Sequence, residues 1–211
     1  MLRAAVSIAD ENGIEALTMR RLADELAAEA MSLYYHVANK EEVLDGIVEV
    51  VVEEINTVVD GVAVSMDGAD WKAVMRARIL AAREVMLRHP WAPRVMETRT
   101  TTIPAVLSYF DSLVGLMRSA GFSSDLTHRA LHALGSRALG FTQELFDPGS
   151  GPSDEETNAM MADYAARLPH LVGMLSEIVH DDPDTTLGWC DAQTEFEFGL
   201  DLILDGLDRL R

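Results

Sequence analysis

Apolar residues recur in this chain every three or four positions and almost never in alternation, a spacing that commits it to helices rather than sheet. Ala, Leu, Glu, Arg and Met, all good helix formers, are abundant throughout. The predicted fold class is therefore all-α.

The order of the helices narrows the reading further. Leu2, Ala5, Val6 and Ala9 share one face of a first helix over Leu2–Asn12, which Gly13 is placed to cap in the left-handed region. Thr18 is a natural N-cap for a second helix, Met19–Leu26. A break at Ala27–Glu29 precedes a short third helix, about Ala30–His36. Asn39, with Glu42 three residues on, forms a capping box that opens a long fourth helix to about Val59. Gly61–Asp70 reads as a linker. Further helices are predicted from Trp71 to Arg88, from Trp91, from Pro104 to Ala120, from Ser123 or Ser124 to Phe146, from Glu156 to His180 and from Thr186 to Leu210. The turns at 147–153 and 181–184 separate the last three. Two domains follow, 1–45 and 46–211.

Three short helices and then a long one is the layout of a helix-turn-helix head on a stalk. In that layout the second helix spans the phosphate backbone and the third enters the major groove. Leu33 is the apolar anchor of the third helix, so Ala30, Met31, Ser32, Tyr34, Tyr35 and His36 face outward. Thr18, Arg20 and Lys40 stand at helix N-termini, where backbone N–H groups and the helix dipole favour an anion such as phosphate. The competing reading is that Tyr34, Tyr35 and His36 only cover the core of a small helical domain. The net charge of −18 supports that competitor, because an acidic chain is repelled by DNA. The charge is unevenly spread, however: Met1–Lys40 carries four basic residues against six acids.

The stretch ALTMRRLADELAAEAMSLYYHVANKEEVLDGIV, Ala16 to Val48, resembles the signature of the TetR family of transcriptional repressors. The resemblance is carried by Leu17-Thr18-Met19-Arg20, Leu22-Ala23, Leu33-Tyr34, His36-Val37, Asn39-Lys40-Glu41 and Leu44. It implies that Thr18, Arg20, Ser32, Tyr34, His36 and Lys40 contact operator phosphates, and that Ala30, Met31 and Tyr35 face the bases. Two departures stand out. Ala27 and Ala28 occupy the turn where the family usually has Gly then Val, and a left-handed Ala costs roughly 1 kcal/mol more than Gly. The basic arm that usually precedes the first helix does not appear before Leu2.

The resemblance continues more weakly beyond the head. FEFGLDLILDGLDRL, Phe196 to Leu210, is similar to the last helix of the tetracycline-repressor branch, and Trp71 and Ala120-Gly121-Phe122-Ser123 fall in familiar places. It implies a domain that holds a small-molecule pocket and a dimer interface. Aligned from Trp71, the positions of two drug-contacting histidines fall on Met96 and Asn56, a glutamine on Leu113 and an asparagine on Arg78. With those polar groups gone, magnesium–tetracycline is not the expected ligand, and no metal or cofactor is expected. Met75, Met86, Met96, Leu113, Met117 and Trp91 could instead line an apolar cavity for an organic effector, although methionine at helical spacing is usually core filler. Arg78, if it points inward, would call for an anionic effector.

The dimer has separate support in the residues. The helix from Leu126 carries one apolar stripe through Ala130, Leu134 and Ala138 and a second through Leu131, Gly135 and Leu139. The last helix carries Phe196, Leu200, Ile203 and Leu207, with Phe198 and Leu202 beside them. A helix apolar on two faces is buried on both. The expected dimer interface is Leu131, Gly135, Leu139, Phe198 and Leu202. The alternative is that these helices are wholly buried in a monomer.

Other signals are weak. His128 and His132 have the spacing of two metal ligands on a helix, but nothing completes the site. The 180–184 stretch fails the calcium-loop pattern, and Cys190 lacks a nucleophile's context. No phosphate-binding glycine loop or Gly-x-Ser-x-Gly elbow occurs, so no enzyme is expected. No apolar run approaches the roughly 18 residues a membrane helix needs, and no signal peptide is visible; a soluble cytoplasmic protein is expected. Two other functions compete: a helical ligand-binding or enzyme domain unrelated to DNA, and a degenerate relative acting only through protein partners.

Overall fold

A computed structural model of the chain describes residues 1–65, 70–140, 167–170, 172–173 and 192–211. The chain forms two compact units, Met1–Thr142 with Ile203–Arg211, and Gln143–Leu202. Among the described residues every regular element is helical. The α-helices are α1 (Leu2–Asn12), α2 (Met19–Glu25), α3 (Ala30–Leu33), α4 (Lys40–Ser65), α5 (Trp71–Arg88), α6 (Ala92–Glu97), α7 (Pro104–Ser119), α8 (Ser124–Gly140) and α9 (Ala192–Asp208). A single 3-10 turn, Ile14–Ala16, joins α1 to α2.

In the first unit α4 is the central element, packed against α1, α5, α6 and α7. Val43, Ile47, Val48, Val51, Val52, Ile55 and Val59 run buried along it, giving the unit one continuous apolar spine. Gly46 faces α1, where an added Cβ would lie 2.6 Å from Leu2 Cδ2 and the Leu2 side chain would have to shift. The carboxyl end of α9 docks on α5: the Trp71 indole N–H donates to Asp208 at 3.0 Å, and Lys72 pairs with Asp205 at 2.6 Å.

Several boundaries differ from the sequence reading. Gly13 has positive φ, but at φ 79 and ψ 159 it is an extended turn, not a left-handed helical cap. The third helix ends at Leu33, because the N–H groups of Tyr35 and His36 bond to carbonyls three residues back in a tighter turn. The fourth helix passes through Gly61 to Ser65 instead of stopping before it. Glycine costs about 1 kcal/mol in a helix interior, and the buried Ile55 and Val59 just before it offset that.

The expected end of α8 at Phe146, the 147–153 and 181–184 turns and Cys190 lie outside the described residues. So does most of the Glu156–His180 helix, where residues 167, 169–170 and 172–173 are helical. No described helix is long and apolar enough to cross a membrane.

Candidate nucleic-acid interface and effector cavity

The head is built on two caps. Thr18 Oγ1 accepts the Arg21 N–H at 3.1 Å, which starts α2 and leaves Arg20 and Arg21 exposed in its first turn. Asn39 Oδ1 accepts the Glu42 N–H at 3.0 Å and starts α4. The Glu42 carboxylate reaches one residue further than the box predicts, accepting the Ala38 N–H at 2.7 Å. Lys40, the first residue of α4, is half-buried and enters no ion pair among the described residues.

Between the caps lies the turn that departs from the family pattern. Ala27 adopts φ 49, so alanine stands in the left-handed conformation that glycine normally fills. The turn closes with the Ala28 N–H on the Ala23 carbonyl at 2.9 Å. Leu33 and Val37 are buried beneath the recognition segment. Above them Met31 is 72% exposed, Tyr35 89% and Tyr34 43%, and His36 is also exposed. Ala30 and Ser32 are half-buried, and the Ser32 hydroxyl donates to the Glu29 carbonyl at 2.7 Å.

Beside the middle of α4 is a cavity of about 90 Å³. Val52 and Ile55 of α4, Ile79 and Met86 of α5, Met96 of α6, Tyr109 and Leu113 of α7, and Leu134 of α8 contribute to its wall. The wall is hydrocarbon and thioether except for Tyr109. Burial pushes the Tyr109 phenol up to about 12, against the lowering influence of the Arg78 charge, so the hydroxyl is a donor throughout the physiological range. No hydrogen bond to that hydroxyl is present among the described residues.

Of the pocket residues expected from sequence, Met86, Met96 and Leu113 line this cavity. The other five do not, and each has a physical reason. The Asn56 side-chain N–H donates to the Ala105 carbonyl at 2.9 Å, stapling α4 to α7. Arg78, 4% exposed, is held by Ser112, donating from Nη2 to its hydroxyl at 3.0 Å and from Nη1 to its carbonyl at 3.3 Å. Met75 and Met117 are fully buried core fillers. The Trp91 indole N–H donates to Asp10 at 2.7 Å, away from the cavity.

The residues expected at the dimer face fall on two helices. Leu131, Gly135 and Leu139 also line the cavity. At about 100° per residue their stripe flanks the buried Leu134, and all three are half-buried. Phe198 and Leu202 on α9 are 62% and 59% exposed. They stand opposite the buried Phe196 and Leu200 on that helix.

Two polar straps link the helices around the cavity to the head, and sequence reasoning missed both. His89, at the α5–α6 turn, sits between carboxylates, with Nδ1 2.8 Å from Asp10 on α1 and Nε2 3.4 Å from Glu54 on α4. The Arg88 hydrogen bond is the main influence holding Glu54 below its ordinary pKa, over the opposing effect of burial and with help from His89. Arg99, just after α6, grips the head end of α4 through Glu41 at 2.8 Å and Asp45 at 3.3 Å. Burial works against the Arg99 charge, yet these two carboxylates outweigh it and raise its pKa. No local motif announces such pairs, because their partners are 35 to 79 positions apart where His89 is concerned.

A turn-linked pair of short helices with an exposed outer segment, followed by a long helix that borders an apolar cavity, defines a helix-turn-helix regulator with a ligand-binding domain. Comparison with known proteins agrees. The model for bacterial regulatory proteins of the tetR family matches residues 1–47, and that for the tetracyclin repressor-like C-terminal domain matches residues 65–211. The chain belongs to the TetR family of transcriptional regulators, with a C-terminal domain of the tetracycline-repressor kind.

It is 35% identical over 122 residues to an HTH-type transcriptional regulator of Saccharopolyspora erythraea, a match spanning 58% of this chain and 49% of that protein. It is 28% identical to the HTH-type transcriptional repressor DrrR1 of Streptomyces coeruleorubidus, over 100% of this chain and 76% of that one. Among solved structures, a protein described as a possible TetR family transcriptional regulator from Streptomyces coelicolor A3(2) superposes with a TM-score of 0.77 at 33% identity, covering 100% of this chain and 98% of its own.

Proposed function

We propose that this chain is a ligand-responsive transcriptional repressor that binds a palindromic operator as a homodimer and is released by a small-molecule effector. The observation that carries the reading is the span of α4. Lys40 opens it beside the exposed recognition segment, and Val52 and Ile55 reach the cavity wall about 18 Å further along the same rigid rod. An effector that displaces the wall tilts the rod. The two recognition helices of the dimer then leave their roughly 34 Å half-site spacing, and operator and effector affinities are coupled reciprocally.

The division of labour follows the chain: 1–45 binds DNA and 46–211 binds the effector and dimerises. Thr18, Arg20, Ser32, Tyr34, His36 and Lys40 contact phosphates, and Ala30, Met31 and Tyr35 face the bases. The operator is double-stranded DNA, and the repressor acts in the cytoplasm. Leu131, Gly135 and Leu139 from α8 and Phe198 and Leu202 from α9 form the dimer contact. No catalytic role is assigned.

The effector is a largely apolar organic molecule, uncharged or singly charged, held without a metal. The wall offers one unengaged donor, Tyr109, and two adaptable methionines, Met86 and Met96. A polar ligand would leave its own groups unpaired there at about 1–3 kcal/mol each. Calorimetry with magnesium–tetracycline is expected to show no binding, and micromolar magnesium-dependent binding would overturn this part.

The whole reading is tested by titrating the protein against DNA from the intergenic region beside its own gene at low salt. Tight binding to a palindrome with a steep salt dependence is expected, followed by release on adding a compound found by thermal-shift screening. Failure to bind any such DNA would favour the helical ligand-binding domain unrelated to transcription.

A further inference from the structure

His128 and His132 stand four positions apart on α8, and both are exposed. Their ring centroids are 4.7 Å apart, edge to face. Two imidazoles that share a tetrahedral ion at a metal–nitrogen distance of about 2.0–2.1 Å place their ring centroids roughly 5 Å apart. The pair is thus held near a chelating separation before any ion arrives, and rotating the rings in place turns a nitrogen of each toward a common ion. Neither imidazole makes a hydrogen bond or ion pair among the described residues. Arg129, beside the pair in sequence, has its charge answered by Asp125 at 2.9 Å. Imidazole nitrogen suits zinc and its neighbours in the first transition row, whereas magnesium and calcium take oxygen ligands.

One chain supplies only half a site. Among the described residues no third histidine, cysteine or carboxylate joins the pair, and a structural zinc takes four protein ligands. The place of the pair on α8 indicates where the other two come from. His128, His132, Gly135 and Leu139 recur at i, i+4, i+7 and i+11, so they form one seam along the helix. Gly135 and Leu139 belong to the proposed dimer contact, and a side chain added at Gly135 would meet nothing within 4 Å. The seam is therefore open at its glycine to a closely approaching helix. A two-fold axis through the histidine end of the seam sets the pair of one copy against the pair of the second. We propose that His128 and His132 of two copies together form a four-histidine site for zinc or a similar divalent transition ion, which locks the dimer across α8. This site is separate from the effector cavity. The inference rests on the dimeric repressor reading above and adds a metal that regulates its assembly.

The test uses the full chain, freed of metal by a chelator, with zinc chloride as the only added ligand. Calorimetry is expected to show one zinc per two chains. At free zinc about ten times the dissociation constant of the site, the dimer dissociation constant from sedimentation is expected to fall about tenfold. Magnesium at the same concentration is expected to leave it unchanged. The double variant His128→Ala with His132→Ala is expected to lose both the uptake and the tightening while keeping its helicity, because both side chains are exposed. One zinc per chain without tightening, or uptake undiminished in the double variant, overturns the shared site while the metal-free dimer and its operator binding stand. A chain that stays monomeric with and without zinc overturns the dimer reading and this inference with it.

Discussion

The Trp91 indole N–H donates to Asp10 Oδ1 at 2.7 Å, and the same oxygen lies 2.8 Å from His89 Nδ1. One carboxylate on α1 of the head thus holds two groups of the α5–α6 turn. Met86 and Met96, on the helices either side of that turn, line the cavity. Removing the carboxylate leaves a buried indole N–H and a buried imidazole without that acceptor. Asp10→Ala is expected to lower stability by about 1–3 kcal/mol in urea unfolding. It should also weaken the effector's influence on operator binding while leaving cavity binding measurable by calorimetry. Undiminished coupling in the variant would show that the strap is only structural.

Lys40 and Tyr34 separate charge from shape in a test of the proposed DNA surface. Neither side chain is buried, so Lys40→Ala and Tyr34→Ala are expected to leave the melting temperature nearly unchanged. Both are expected to weaken operator binding. Lys40→Ala should also reduce the slope of log affinity against log salt by about one, the signature of a single lost phosphate contact. Operator affinity unchanged in both variants would count against these positions.

Phe198 and Leu202 test the dimer. Exposed apolar side chains opposite a buried face have a role only if a second surface covers them. Phe198→Asp with Leu202→Asp is expected to convert the dimer to a monomer in sedimentation, with helicity retained and operator affinity lost. A dimer persisting in the double variant would place the interface elsewhere.

Tyr109 supplies a prediction in pH. Burial pushes its phenol up to about 12 in the folded chain, above the ordinary tyrosine range. A raised folded pKa means that the folded state keeps the proton longer than the unfolded state. That contribution is intact below about 10 and is lost as pH rises toward about 12. Urea unfolding is expected to show stability falling with pH in this window, by more in the wild type than in Tyr109→Phe. Equal slopes would mean that the phenol is hydrated, and that the cavity is wet.

Much of the architecture was legible in the chain itself, because caps and periodicity act over a few residues. Thr18 and Asn39 announce α2 and α4 by where their side-chain oxygens can reach. The cost of a left-handed alanine points to a slightly reshaped turn, yet Ala27 takes that conformation at φ 49. The signature from Ala16 to Val48 indicates the family unaided. The family resemblance also implied a small-molecule pocket, and Met86, Met96 and Leu113 among its expected residues do meet at the cavity.

Periodicity says that a side chain lies on an apolar face, and it is silent on what covers that face. Leu131, Gly135 and Leu139 read from periodicity only as an apolar stripe, and the packing of α8 against α7 is what brings them to the border of the cavity. Arg78 on the same grounds could have demanded an anion. Its engagement with Ser112, 34 positions away, settled where its guanidinium goes. The straps through His89 and Arg99 have no sequence signature, since each joins groups far apart along the chain. Local chemistry is encoded within a turn or two of helix and so is readable from sequence. Which polar groups find each other, and which apolar face closes on a cavity, depends on how whole helices pack, and only the tertiary structure decided it.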